Sequence, residues 1–230
     1  MVTLNCEGVG TREINRTLQS LPEGATAVLE APGGRHNLVV GVSEPIKVQV
    51  MGNAGYYLGG LCGSKDATGL EIRVKGFTGW GTGENLMGGT IVVEGSVSQS
   101  TGASARGGLI VVEGDASLRT GISLKGATIA VAGDSGAMTG FMAQAGTILI
   151  GGDAGHALGD SLFEAVIYVA GRIRSLGADA RIEDLTEEDV AAVKNLVEKA
   201  GFDHISPGDV TRVASAKQLY HFRSEHRGIY

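Results

Sequence analysis

Glycine recurs every 19 residues, at Gly76, Gly95, Gly114, Gly133, Gly152 and Gly171. Two residues before each anchor stands Val74, Val93, Val112, Val131, Ile150 or Val169, and four before it always isoleucine: Ile72, Ile91, Ile110, Ile129, Ile148 and Ile167. A second glycine follows seven residues after the first five anchors, at Gly83, Gly102, Gly121, Gly140 and Gly159, while Ala178 takes the sixth slot. So short and regular a period signals a solenoid of stacked coils. Ile-x-Val has the period of two that sends both side chains to one face of a β-strand. One short strand cannot bury that face alone. Stacked coils bury it by pairing their strands in parallel about 4.8 Å apart, so that like residues form internal ladders. Glycine suits the corners, and Thr82, Thr101, Thr120 and Thr139 predict a threonine ladder beside one of them. The expected fold is an all-β solenoid, a parallel β-helix of about seven coils over residues 48–175, right-handed as parallel crossovers are. Hexapeptide, leucine-rich and calcium-binding nonapeptide frames are absent.

The flanks differ in character. Residues 1–47 predict a small α/β cap over the first coil: a helix over Thr11–Leu21 with Thr11 as N-cap and Gly24 at its end, then strands at Ala25–Glu30 and Asn37–Val42. Gly52 precedes Gly76 by 24 residues, which implies a five-residue insertion, expected at the loop Gly55-Tyr56-Tyr57-Leu58-Gly59-Gly60. That loop either packs its aromatics as a cap or offers a contact surface. Residues 176–230 predict a helix from Thr186 to about Ala200, with Thr186 as N-cap, Asp189 completing a capping box and Gly201 as terminator. A docking tail then runs from Val210 to Tyr230, with Tyr220, Phe222 and Tyr230 among basic residues.

Each strand also carries an outward residue: Arg73, Val92, Val111, Ala130, Leu149 and Tyr168. Outward strand positions are ordinarily polar, so this largely apolar row predicts a covered wall. Its occupant is either the chain's own C-terminal part or a partner subunit, which makes Val92, Val111, Leu149, Tyr168, Tyr220 and Phe222 the candidate interface residues.

Net charge is −6 with 19 Lys plus Arg, which argues against nucleic acid or an anionic membrane as partner. No apolar run reaches the roughly 18 residues of a membrane span. Neither a signal peptide nor a C-x-x-C is apparent, so a reducing cytoplasm with free Cys6 and Cys62 is expected. Glycine contributes 38 of 230 residues, but on the repeat register, so its abundance reflects coil corners and not disorder.

Sites of chemistry are hard to find. Gly79-Trp80-Gly81-Thr82-Gly83 superficially resembles a dinucleotide fingerprint, yet Glu84 stands where that motif needs its last glycine. His36, His156, His204, His221 and His226 lack zinc spacing. Cys6 reads as a small buried residue, since an N-terminal nucleophile would be residue 1 or 2. No catalytic, cofactor-binding or metal-ligating residue is therefore predicted.

The 19-residue coils, the G-x-G-x-G at Gly79, Gly81 and Gly83, and the small pairs Gly88-Gly89 and Gly107-Gly108 resemble the C-terminal β-helix domain of the glutamate synthase large subunit. One β-helical chain of formylmethanofuran dehydrogenase has the same module. As a free-standing chain with the Gly-Tyr-Tyr-Leu-Gly-Gly loop and the Ala-Lys-Gln-Leu-Tyr-His-Phe tail, the sequence is most similar to the glutamate synthase-like subunit of N-methylglutamate synthase, the methylamine–glutamate N-methyltransferase. The resemblance implies a non-catalytic scaffold in a hetero-oligomer. Its partners would be an amidotransferase-like subunit and a synthase subunit holding FMN and an iron–sulfur cluster. The alternatives are the formylmethanofuran dehydrogenase role and a stand-alone ligand-binding or enzymatic β-helix.

Overall fold

The computed structural model describes residues 1–64 and 69–219. It is a parallel β-solenoid in which β3 (Lys47–Val50), β4 (Glu71–Val74), β5 (Thr90–Val93), β6 (Leu109–Val112), β7 (Lys125–Val131), β8 (Ala145–Ile150) and β9 (Val166–Val169) are the same wall of seven successive coils. Their register matches the repeat residue for residue: Ile72 pairs with Ile91, Ile91 with Ile110, and so on to Ile167. A second wall is reduced to isolated bridges through Ala54, Thr78, Val97, Ala116, Ser135, Ala154 and Ile173, with a further bridge between Leu158 and Leu176.

The two conspicuous columns of the repeat explain each other. A Cβ placed on Gly83 would lie 2.6 Å from the Ile110 δ-methyl, and one on Gly102 or Gly121 would lie 2.5 Å from Ile129 or Ile148. The isoleucine of a strand thus fills the volume that a corner side chain would need. These glycines also turn left-handed, with φ of 66°, 69° and 69°. Left-handed φ alone does not demand glycine here, because the flanking corner positions Ser100, Arg119 and Met138 adopt it as well. Threonines 82, 101, 120 and 139 are buried, but each hydroxyl donates to a carbonyl three residues back in its own turn, at 3.0–3.2 Å, and so closes a coil instead of joining two. A further inner column alternates in size: Leu86, Ala105, Leu124, Ala143 and Leu162 are all fully buried. The leucines lean toward Gly108 and Gly146, where an added Cβ would stand 3.1 and 3.0 Å from Leu86 and Leu124.

On the outside, side chains cap the next coil's backbone. The N–H groups of Asp134, Asp153 and Arg172 donate to Oδ1 of Asp115, Asp134 and Asp153 at 2.7–2.8 Å. Arg172 closes the column with a guanidinium contact to Asp153 at 2.9 Å.

The N-terminal segment extends the solenoid more directly than its sequence suggests. β1 (Val2–Asn5) and β2 (Thr26–Glu30) add in parallel to β3, linked by α1 (Thr11–Gln19), whose Ile14 and Leu18 are buried in the common core. Gly10, not Thr11, is the N-cap of α1, and no side chain caps it. The strand expected at Asn37–Val42 is absent. That stretch turns, with Asn37 and Val39 at φ of 57° and 55°, and its carbonyls and N–H groups meet the next coil singly. The expected insertion site is also displaced. Gly83 N–H donates to Leu58 O and Met87 N–H to Cys62 O, so Gly55–Cys62 is in ordinary register with Gly79–Leu86. The extra residues lie beyond Gly63, before β4.

At the far end the parallel stack stops. β11 (Thr211–Ser215) pairs antiparallel with β9, and β10 (Ala180–Glu183) pairs antiparallel with β11. Part of the expected tail is therefore a strand, and the outermost edge bears Arg181 and Glu183, charges that discourage further pairing. Between them runs α2 (Glu187–Ala200), with the predicted capping box at Thr186 and Asp189 and left-handed Gly201 at its end, φ 73°.

α2 is pinned by a polar knot. The Tyr168 hydroxyl donates to Asp189 Oδ1 at 2.5 Å, Arg212 Nε donates to the same oxygen at 3.1 Å, and Thr186 N–H and Oγ1–H reach Oδ2 at 2.9 and 2.7 Å. Arg212 also pairs with Glu183. Burial would raise the Asp189 carboxyl, but the donors from Tyr168, Thr186 and Arg212 outweigh it and hold the group well below the usual carboxylate range. Burial first, then the bond to Asp189, push the Tyr168 phenol above its ordinary value.

Two predictions arise. Gly102→Ala should cost about 2–4 kcal/mol, combining a left-handed alanine with the clash at Ile129. Chemical denaturation of Gly102→Ala, Ile129→Val and the double variant should show the double less destabilised than the sum by about 1 kcal/mol. Additive losses would refute the proposed contact. Because folded Asp189 is depressed, its stabilisation is complete above the unfolded value, about pH 4, and disappears as pH falls below that. Hydrogen exchange over residues 187–200 should accelerate in acid, and Asp189→Asn should accelerate it at neutral pH by loosening α2 by about 3 kcal/mol.

Candidate interaction surface

The outward ladder predicted as an interface is occupied by the chain itself. Val111, Ala130, Leu149 and Tyr168 are buried against Val193, Leu196 and Val197 of α2 and against Phe202, Ile205 and Val210 beyond it, with Val92 half-buried at the margin. Of the two occupants considered for this wall, the structure shows the chain's own C-terminal part. Tyr220 and Phe222 lie outside the described residues.

A group of exposed aromatic residues lies elsewhere, on the coils carrying the G-x-G-x-G motif. Tyr56, Tyr57, Leu61, Phe77 and Trp80, from two successive coils, are 40–59% exposed. His36, Tyr56 and Trp80 occupy equivalent positions of three coils and stack, with ring centroids 4.3 and 5.2 Å apart and interplanar angles of 12° and 21°. The Tyr56 N–H donates to His36 Nδ1 at 2.9 Å, which orients the first ring. The motif's glycines make this stack possible. A Cβ on Gly79 would stand 2.6 Å from Tyr56 Cδ1, and one on Gly81 would stand 2.7 Å from Tyr57 Cδ1. Gly83 belongs to the repeating corner, Gly79 to a position that is glycine again at Gly136 and Gly155, and Gly81 to neither. The motif is followed by a turn and then by β5, not by a helix, so the geometry of a dinucleotide fingerprint is missing. A shallow recess of about 290 Å³ opens beside Tyr57, Trp80 and Glu84. Neither aromatic stacking nor the motif's role was legible from Tyr56-Tyr57 alone; the 24-residue offset to Trp80 was the available signal.

Several groups that could do chemistry have other partners. Glu94 and Glu113 both contact Arg73, at 3.0 and 3.4 Å, and Glu94 also contacts Lys75 at 2.6 Å. The Lys75 hydrogen bond, followed by that of Arg73, holds the Glu94 carboxyl low, the opposite of what a general acid requires. Cys6 and Cys62 are buried and unpaired. Burial pushes the Cys62 thiol up to about 11, and its S–H donates to Val39 O at 2.8 Å. Such a thiol is a poor nucleophile. Cys62 occupies a small slot of the alternating Leu/Ala column. His156 approaches Ser175 Oγ at 3.4 Å, and His204 Nε2 lies 3.1 Å from Ala132 O. Among the described residues no three His, Cys, Asp or Glu side chains converge on a common point. No described helix is long and apolar enough to cross a membrane.

No family model matches the chain. Among curated proteins it is similar to Protein GlxC of Rhizobium meliloti (strain 1021), with 50% identity over 222 residues that cover 95% of each chain. With that identity along nearly the whole of both sequences, and a solenoid repeat that leaves little room for a different fold, this chain belongs to the GlxC family.

Proposed function

We propose that the chain is a non-catalytic scaffold subunit of a glutamate synthase-like complex of the N-methylglutamate synthase type. The observation that carries this reading is the exposed aromatic corner. A stack of His36, Tyr56 and Trp80, with Tyr57 and Phe77 also exposed on the same two coils, presents large flat rings at little cost in side-chain entropy. Protein interfaces are enriched in such side chains. The solenoid supplies a stiff backing, because every coil is fastened to its neighbours by strand pairing, and the later coils also by the aspartate column. In this reading the chain positions an amidotransferase-like subunit and a synthase subunit. FMN and the iron–sulfur cluster reside in the latter, and ammonia or methylamine passes between the partners' sites. In the stand-alone enzymatic alternative Glu94 and Glu113, held by Arg73 and in the case of Glu94 also by Lys75, would be poor proton donors.

Affinity purification of the tagged chain from its own host should recover two further subunits and a flavin absorbance. Trp80→Ala should weaken their retention by about 2 kcal/mol, some thirtyfold in Kd, while leaving the circular dichroism of the chain unchanged. Molybdenum or tungsten in the eluate would instead indicate the formylmethanofuran dehydrogenase type of assembly, and a lone colourless chain would sink the scaffold reading.

A further inference from the structure

Beside α2 the solenoid leaves a groove of about 670 Å³, within the size range of small-molecule sites. It exists because α2 stands off the wall on Val111, Leu149 and Tyr168, while the adjoining corner is built on the glycine pairs Gly88-Gly89 and Gly107-Gly108. Gly89 and Gly108 are left-handed there, at φ of 84° and 81°, and a Cβ on either would approach within 2.7 and 2.5 Å of the preceding coil's carbonyls. Thr90, Thr128 and Thr147 line the floor from three coils, spanning about 14 Å along the stack. Arg106 stands on the corner side, and Asn195 and Lys199 project from α2 on the other.

The electrostatic character of this groove is one-sided. Among the described residues no carboxylate lines it. Among the described residues, the side chains of Arg106, Asn195 and Lys199 and the three threonine hydroxyls make no hydrogen bond or ion pair, whereas Lys47, Arg73 and Lys75 on the same solenoid are paired with glutamates. Lys199 has a secondary reason for its place, in the last turn of α2 against the helix dipole. Arg106 has none. Two cations, an amide and hydroxyls face one another across a recess whose remaining walls are apolar, notably Leu109 and Leu196.

We infer that this groove binds a small organic anion, with an apolar body against Leu109 and Leu196 and a carboxylate or phosphate between Arg106 and Lys199. The groove shares no lining residue with the aromatic corner, and its lining comes from this chain, so it is testable on the isolated chain. Calorimetric titration at about 50 mM salt would use phenyl phosphate and 3-phenylpropionate, which share an apolar body and differ in the acid group, with phenethylamine as the cationic control. One or both anions should bind saturably at a single site, and the preferred one assigns the head group. Arg106→Ala and Lys199→Ala should each weaken binding at least tenfold, with Lys47→Ala unchanged and circular dichroism intact throughout. Absence of saturable binding by both anions, equal binding by the Arg106 and Lys199 variants, or equal binding of phenethylamine would overturn the inference.

Discussion

Everything in this molecule depends on the contact between the glycine corners and the isoleucine strands. The δ-methyl of Ile110, Ile129 or Ile148 sits where a corner side chain would otherwise be, so each coil is only as thick as one isoleucine against one backbone. That contact ties a corner to strands of later coils, and neighbouring coils are thereby locked in rotation as well as in height. The parallel hydrogen bonds of the wall then form without adjustment, and Ile pairs with Ile along its length. Hydrophobic burial and backbone pairing are met by the same few residues, repeated.

A stack built this way has no intrinsic end. The chain uses two different devices to stop it. At the start, α1 lays Ile14 and Leu18 over the open core. At the finish, β11 reverses direction on β9, so the ladder of like residues cannot continue. α2 lies between β10 and β11 in sequence and is clamped to Tyr168 and Arg212 through Asp189. Termination and wall cover are therefore one cooperative unit.

Much of this is legible in the order of residues alone. Periodicity locates the seven wall strands and their register, and the Thr186–Asp189 capping box locates α2. What is not legible has physical reasons. Strands β10 and β11 lie outside the repeat and owe their existence to the exposed edge of β9, a tertiary demand with no local pattern. Asn37–Val42 is rich in β-formers but lies in a coil turn, where Val39 is forced left-handed. The extra residues before β4 are easily misplaced because Gly55–Gly60 looks like a loop, when its glycines are the regular corner and the accommodation for stacked rings. The outward apolar row reads correctly as covered, yet residue types alone do not distinguish α2 from another subunit as the cover. The groove is invisible in the sequence, since Arg106 and Lys199 are far apart along the chain.

The alternation of Leu86, Ala105, Leu124, Ala143 and Leu162 constrains how such a chain can change length over time. Duplicating a single coil would set two leucines or two alanines next to each other, an overfilled layer or a void. Duplicating two coils preserves the sequence of sizes. Growth by gene duplication is thus steered toward steps of 38 residues, each lengthening the rod by about 9.6 Å. The spacing between its two ends is inherited in that unit, as on a ruler with one kind of graduation.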